Sequence, residues 1–350
     1  MINGFLRLSN VKFLSLNSNA LSTLQFLGLM LNLIPHHQKS AFVIGLSVQH
    51  EEIIWASVPF VTTQEESQQC QLKKTRIFLP HKVVLTARDE NKGKKAMETL
   101  KDHALSQHAN IVFHQLDVLD PSSISSLVDF IKSKYGKLDI LVNNAAVLGV
   151  NVDFHALEAS IDDKEPGYIN WGEVSTQPYN LGEECIQTNY YGAKRMIEAF
   201  TPLLSLSESP RIVNVSSSSG KLKFVINEWA SNILNDIKAL SEEGIDEILE
   251  VFLKDLKEDS LETKNWPAFL SAYTLSNAAM NAYTRLLAKK HPSFIINSVC
   301  PGYVKTSINY LSGFLNVEEG AQSITKLVLL PMDGQGQSGL FFYRDVISSF

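Results

Sequence analysis

Cysteine is scarce in this 350-residue chain: Cys70, Cys185 and Cys300 are its only three. An odd number without paired spacing excludes a disulfide framework and a zinc site, and fits a reducing compartment. None has a histidine or other base beside it in sequence, so each reads as a buried small hydrophobe rather than a nucleophile. A positive charge excess is missing too. Lys and Arg number 31 against 37 Asp and Glu, a formal net charge of −6, which gives no electrostatic reason to expect nucleic acid or an anionic membrane as partner and points to a small molecule. Acid is absent from residues 1–50, where Ser and Asn recur and Arg7 is the sole arginine. The apolar run at 20–34 is too short for a membrane span. Such a leader is either an organelle transit peptide, a plastid being one destination, or a divergent or wrongly assembled terminus on a cytoplasmic protein. The organisation expected is therefore a segment 1–57 followed by one domain, 58–350.

Hydrophobic residues make up 45% of the chain and charged ones 19%, enough for one sizeable core. After residue 80 strands and helices alternate. Lys82-Val83-Val84-Leu85-Thr86-Ala87-Arg88 reads as a β-branched strand, with a polar helix over 90–103. A strand over 111–116 leads to Asp117, and Pro121 opens a helix whose Ile124, Leu127, Val128 and Ile131 keep the helical period. Further strands are predicted at 138–142, 212–215, 294–299 and 340–343, with helices at 183–200 and 273–288 between them. This order is the mark of a doubly wound, mostly parallel α/β sheet. The stretch 226–257 carries apolar residues at helical spacing among acids and predicts two amphipathic helices, inserted before the helix at 273 as a surface cap.

The run Ile212-Val213-Asn214-Val215 ends in Ser216, Ser217, Ser218, Ser219 and Gly220. In an open α/β sheet ligands bind at the carboxyl ends of strands, so a serine there can face a substrate, joined by Tyr273 from the next helix. This pairing resembles the short-chain dehydrogenase/reductase family, with its Ser at a strand end and Tyr-x-x-x-Lys on the following helix. TAR, LDV, LVNNAA, IQTNYYGA, NVSSSSG, NWPAFLSAYTLSN, CPGYVKT and VEEGAQ…SGLFFYR follow in order from about residue 82. Together they resemble the carbonyl-reductase-like branch, of the plant menthone/neomenthol and salutaridine reductase type. The insertion, 221–266, is typical of that branch and implies a monomer.

The resemblance implies a Rossmann-type fold and NADPH-dependent reduction of a ketone or aldehyde, of monoterpenoid or alkaloid type. It gives Arg88 the 2′-phosphate of NADP(H), Asp117 and Val118 the adenine, and Asn143, Ala145 and Ala146 the turn beside the ribose. Pro301, Gly302 and Thr306 would receive the carboxamide. Ser217 would hold the carbonyl oxygen, with Ser216, Ser218 and Ser219 as alternatives within the cluster; Tyr273 would donate the proton and Asn189 anchor a water of the relay. Two departures stand out. Asn277 occupies the position of the family's lysine. The family's TGxxxGxG turn, sought about twenty residues before Val83, falls on Thr63, Ser67 and Gln69, with Glu65 and Glu66 where phosphates should sit. The alternative strand Val43-Ile44-Gly45 has one glycine and lies further upstream. Two readings follow: a carbonyl reductase of impaired activity, or a catalytically inactive family member that acts as a binding protein or reflects a faulty gene model.

Overall fold

Short β-branched runs become strands here because their apolar side chains leave the sheet on both faces. Val83 and Leu85 pack on one side with Ile140, Val142, Val213 and Val299, whereas Val84, Leu141, Ile212 and Ile296 pack on the other. The computed structural model describes residues 41–45, 82–101, 110–160, 169–329 and 338–350. The strands of the main sheet are β1 (Ala41–Gly45), β2 (Lys82–Ala87), β3 (Asn110–Gln115), β4 (Ile140–Asn143), β7 (Arg211–Val215), β8 (Ile295–Cys300), β9 (Phe341–Tyr343) and β10 (Val346–Ser348). Asn151–Val152 (β5) and Ser175–Thr176 (β6) form a separate antiparallel ribbon. The order across the main sheet is β10-β9-β8-β7-β4-β1-β2-β3, parallel throughout except for the last pair, β9 and β10.

The helices expected between strands are present: α1 (Glu90–Lys101), α2 (Pro121–Tyr135), α3 (Phe154–Ser160), α4 (Trp171–Val174), α5 (Tyr179–Ile186), α6 (Ala193–Leu204), α7 (Glu228–Asn235), α8 (Glu242–Lys257), α9 (Ser271–Lys290) and α10 (Val317–Val328). Their ends follow local chemistry. Asp120 accepts from Ser122 N ahead of Pro121, and α2 stops at Gly136, φ 77°. Asn316 and Glu319 form a reciprocal capping box on α10. Between α5 and α6 the chain passes through a π-helical stretch, Gln187–Gly192, a device often found at functional positions.

The first strand of the sheet is not where the count back from Val83 put it. Ala41–Gly45 lies at the centre, in parallel register with β2 (Ala41↔Lys82 to Gly45↔Thr86) and with β4 (Phe42↔Ile140 to Ile44↔Val142). The 57/58 boundary therefore cuts a central strand away from its sheet, and the domain includes residues 41–45. The physical reason is that AFVI is a short apolar run suited to a strand paired on both sides, while a longer connection before β2 adds little closure entropy. Thr63, Glu65, Glu66, Ser67 and Gln69 lie outside the described residues.

The insertion folds as two amphipathic helices, α7 and α8. Ile245, Ile248, Leu249 and Phe252 are buried and join the main core cluster with Leu234 and Leu240. Phe252 meets Trp266 edge to face with centroids 5.4 Å apart, and Trp266 Nε1 donates to buried Asp255 Oδ2 at 2.8 Å. Lys194, from α6, reaches Asp246 at 2.8 Å and Glu242 at 3.4 Å. Among the described residues no helix is long and apolar enough to cross a membrane.

Candidate active site

The carboxyl ends of β4, β7 and β8 open into one cavity of about 790 Å³, lined by Asn144, Ala146, Ser216 to Ser219, Tyr273, Asn277 and Cys300 to Val304. The fold produces this convergence because strand order reverses between β1 and β4, which parts the loops above the sheet. Ser217 stands two residues after β7 and caps a turn, its Oγ accepting from Ser219 N at 3.2 Å. Ser216 is buried, its amide donating to Val299 O at 2.7 Å. Of the four serines, Ser217 is the one whose side chain favours the ionised form of the Tyr273 phenol. Burial of Tyr273 against the cavity wall, aided by the neighbouring Cys300 thiol, raises its pKa well above the ordinary phenol value; the hydrogen bonds from Ser217 and Asn277 pull the other way and do not win.

Asn277 lies one turn after Tyr273 and is buried. Its Nδ2 donates to the Tyr273 backbone carbonyl at 2.8 Å, an acceptor that Ser276 Oγ also uses at 3.0 Å. Gly220 packs directly on it: a Cβ there would lie 2.7 Å from the Asn277 Cβ and carbonyl carbon. The site thus holds a neutral amide where the resemblance implies an ammonium. Asn189, in the π-helical stretch, is engaged through its side chain. Its Oδ1 accepts from Val147 N at 2.8 Å, and its Nδ2 donates to Val147 O at 3.0 Å and approaches Cys185 Sγ and Ser276 Oγ at 3.2 and 3.3 Å. That bracket fixes the loop after β4, the Asn189 side chain clamping Val147. Burial pushes the Cys185 thiol up to about 12 and raises that of Cys300 as well, in keeping with inert core thiols.

The residues expected to hold a dinucleotide line the same edge. Arg88 follows β2, exposed, with Glu184 Oε1 at 3.7 Å from its guanidinium. Asp117 follows β3, its Oδ1 accepting from Leu119 N at 2.9 Å. The Val118 side chain rests on Gly192, where a Cβ would come within 2.7 Å of its methyl. Asn143 ends β4 and donates to Asn214 Oδ1 at 2.8 Å, and Asn214 in turn donates to Thr284 Oγ1 at 2.9 Å. Ala145 is half-buried beside Ala146. Pro301, Gly302 (φ 93°) and Thr306 line the cavity from the β8 side. Positive φ makes a side chain at position 302 costly, so the backbone there is shaped for close approach. The carboxyl-end crevice with its paired Ser and Tyr thus fits the nicotinamide half of a dinucleotide.

The opposite wall is apolar. It draws on the insertion and on the loop after Thr306, and also on Leu148, Ile169, Trp171, Phe269 and Leu270. Trp171 is held by Tyr303, whose hydroxyl also pairs with Ser312 Oγ at 2.5 Å. Leu270, at the mouth of α9, sits at φ 48°, a strained setting for a branched residue. Trp171 carried no signal beyond its size.

A parallel doubly wound sheet with Ser and Tyr converging at its switch-point crevice defines a dinucleotide-dependent oxidoreductase architecture. The model of the family described as short chain dehydrogenase matches residues 75–228. The (+)-neomenthol dehydrogenase of Arabidopsis thaliana is 54% identical over 269 residues, spanning 77% of this chain and 90% of that protein. Salutaridine reductase of Papaver bracteatum is 51% identical, spanning 77% and 88%. The solved structure of salutaridine reductase from Papaver somniferum superposes with a TM-score of 0.70 at 51% identity, covering 75% of this chain and 91% of that one. The chain belongs to the short-chain dehydrogenase/reductase family, in the branch of these plant reductases.

Proposed function

We propose that this protein is built to reduce the carbonyl group of a small hydrophobic ketone, of monoterpenoid or alkaloid type, with NADP(H) as cofactor, and that Asn277 keeps its turnover low. The observation that carries the reading is that Ser217 and Tyr273 line one largely apolar cavity together at the carboxyl end of β7. Bound NADPH supplies a hydride to the carbonyl carbon. Ser217 orients the carbonyl oxygen by hydrogen bonding, and Tyr273, protonated, stands ready to donate its proton as that oxygen gains charge. Asn189 positions rather than reacts, holding Val147 and the loop that carries Ala145 and Ala146. Arg88, exposed at the end of β2, would meet the 2′-phosphate in competition with Glu184, and Asp117 and Val118 would flank the adenine. Asn143, Pro301, Gly302 and Thr306 would frame the ribose and carboxamide.

Counted from Gly45 at the end of β1, the family's glycine pattern falls on Gly45, Gln49 and Glu51. A carboxylate at the third position opposes a pyrophosphate, which supports weak cofactor binding. The insertion supports a monomer, since α7 and α8 cover α5 and α9. The rival reading, a catalytically inactive family member serving as a binding protein, is favoured by one observation: the Asn277 amide is engaged with the helix backbone and brings no charge to Tyr273. Calorimetric titration with NADPH, followed by an NADPH-oxidation assay on a panel of terpenoid and aromatic ketones, separates the two. The reductase reading requires slow but Tyr273-dependent turnover. Turnover that Tyr273→Phe leaves unchanged, or none at saturating NADPH, leaves the binding protein standing.

A further inference from the structure

The cavity wall is almost uncharged. Among the described residues that line it, Lys223 is the only one with a charged side chain, and no carboxylate is among them. Lys223 comes from the insertion, in the turn Leu222–Phe224, and its Nζ stands 4.8 Å from the centroid of the Phe224 ring. Among the described residues no acidic side chain pairs with it. Phe224, Ile226 and Phe269 also line the cavity and present exposed apolar surface. Lys223 is exposed, so water screens it, but its charge stands at the entrance of a cavity whose lining offers no opposing carboxylate.

We propose that Lys223 sets the charge preference of the substrate: the cavity admits neutral and anionic hydrophobic ketones and turns away protonated amines. This rests on the ketone-binding reading above and narrows it, because an alkaloid carrying a basic nitrogen would enter as a cation facing an unpaired ammonium. Two unit charges about 4 Å apart attract or repel by about fivefold in equilibrium constant at the dielectric of water.

The test is calorimetric binding of three methyl ketones of naphthalene whose far ring position carries hydrogen, a carboxylate or a trimethylammonium group. The carboxylate should bind at least about fivefold more tightly than the trimethylammonium probe at low salt, with the gap narrowing as salt is added. Lys223→Gln should bring the ratio of the two charged probes close to one, and Lys223→Glu should invert it. A native ratio of one or below, or a ratio unmoved by Lys223→Gln, overturns the charge preference while leaving the ketone site intact if the neutral probe binds. Failure of all three probes, the neutral one included, overturns the ketone site itself and this inference with it.

Discussion

At position 277 one side chain decides how acidic its neighbour is. An ammonium there would favour the phenolate and lower the Tyr273 pKa, typically by about 1–3 units. The neutral amide leaves burial in control, and the phenol stays protonated well above its ordinary range. Asn277→Lys should therefore move a Tyr273-dependent ionisation in the pH–rate profile to lower pH than in the native chain and raise NADPH-dependent ketone reduction by roughly 10²–10⁴, the range of general acid–base catalysis. A subsequent Tyr273→Phe change should remove the gain. If Asn277→Lys binds NADPH normally yet shows neither gain nor ionisation, Tyr273 is not the acid. Arg88 carries a second expectation at this scale: Arg88→Asp should abolish or reverse the preference for NADPH over NADH, read as the ratio of their dissociation constants, because a carboxylate repels the 2′-phosphate. Ser217, Tyr273 and Asn277 were legible in the sequence because their spacing is fixed by one strand end and one helical turn. Lys223, Trp171 and Leu270 were not, since loops bring them to the cavity and nothing in their local sequence records the destination.

Among the elements, the insertion was the most readable, because its apolar residues keep a 3.6-residue period and its helices begin at Asn227 and Ser241, both of which accept backbone N–H bonds. What the period did not tell was how the insertion is fastened. The link between Asp255 and Trp266 is buried, so removing the acceptor strands an indole N–H. Asp255→Ala should cost about 1–3 kcal/mol in urea unfolding, and Asp255→Asn, which keeps an acceptor oxygen, should cost less. Equal losses would assign the effect to packing alone. Lys194 gives the pH dependence of the same attachment. Burial works against its charged form, but Asp246 and Glu242 outweigh burial, and its pKa lies above the ordinary 10.5. A raised lysine contributes stability that is fully present below the unfolded-state pKa and is lost as pH rises through the folded one. Stability should hold through neutral pH and fall above about pH 10.5, and Lys194→Met should flatten that alkaline limb; an unchanged limb in the variant would remove the ion pairs from the account.

For the whole molecule, α7 and α8 lie over α5 and α9, and α8 turns Glu243, Glu247, Glu250 and Lys254 to solvent, so light scattering at micromolar concentration should give one chain per particle; a stable tetramer would rule out the covering role. The larger question is which stretch completes the sheet. Family spacing measured from Val83 pointed to residues near 60, because spacing is a good guide only when the crossover has its usual length. The pairing observed is different: Val43 stands in register with Val84 on one side and Leu141 on the other. A strand bonded along both edges tolerates proline poorly, since the ring removes a ladder donor and fixes φ. Val43→Pro should therefore lower unfolding stability by about 3 kcal/mol or more, or abolish the cooperative transition. Val61→Pro is the matched control. If the sheet were completed near residue 60, Val61→Pro would carry the loss and Val43→Pro would be silent, and the central position of Ala41–Gly45 would have to be given up.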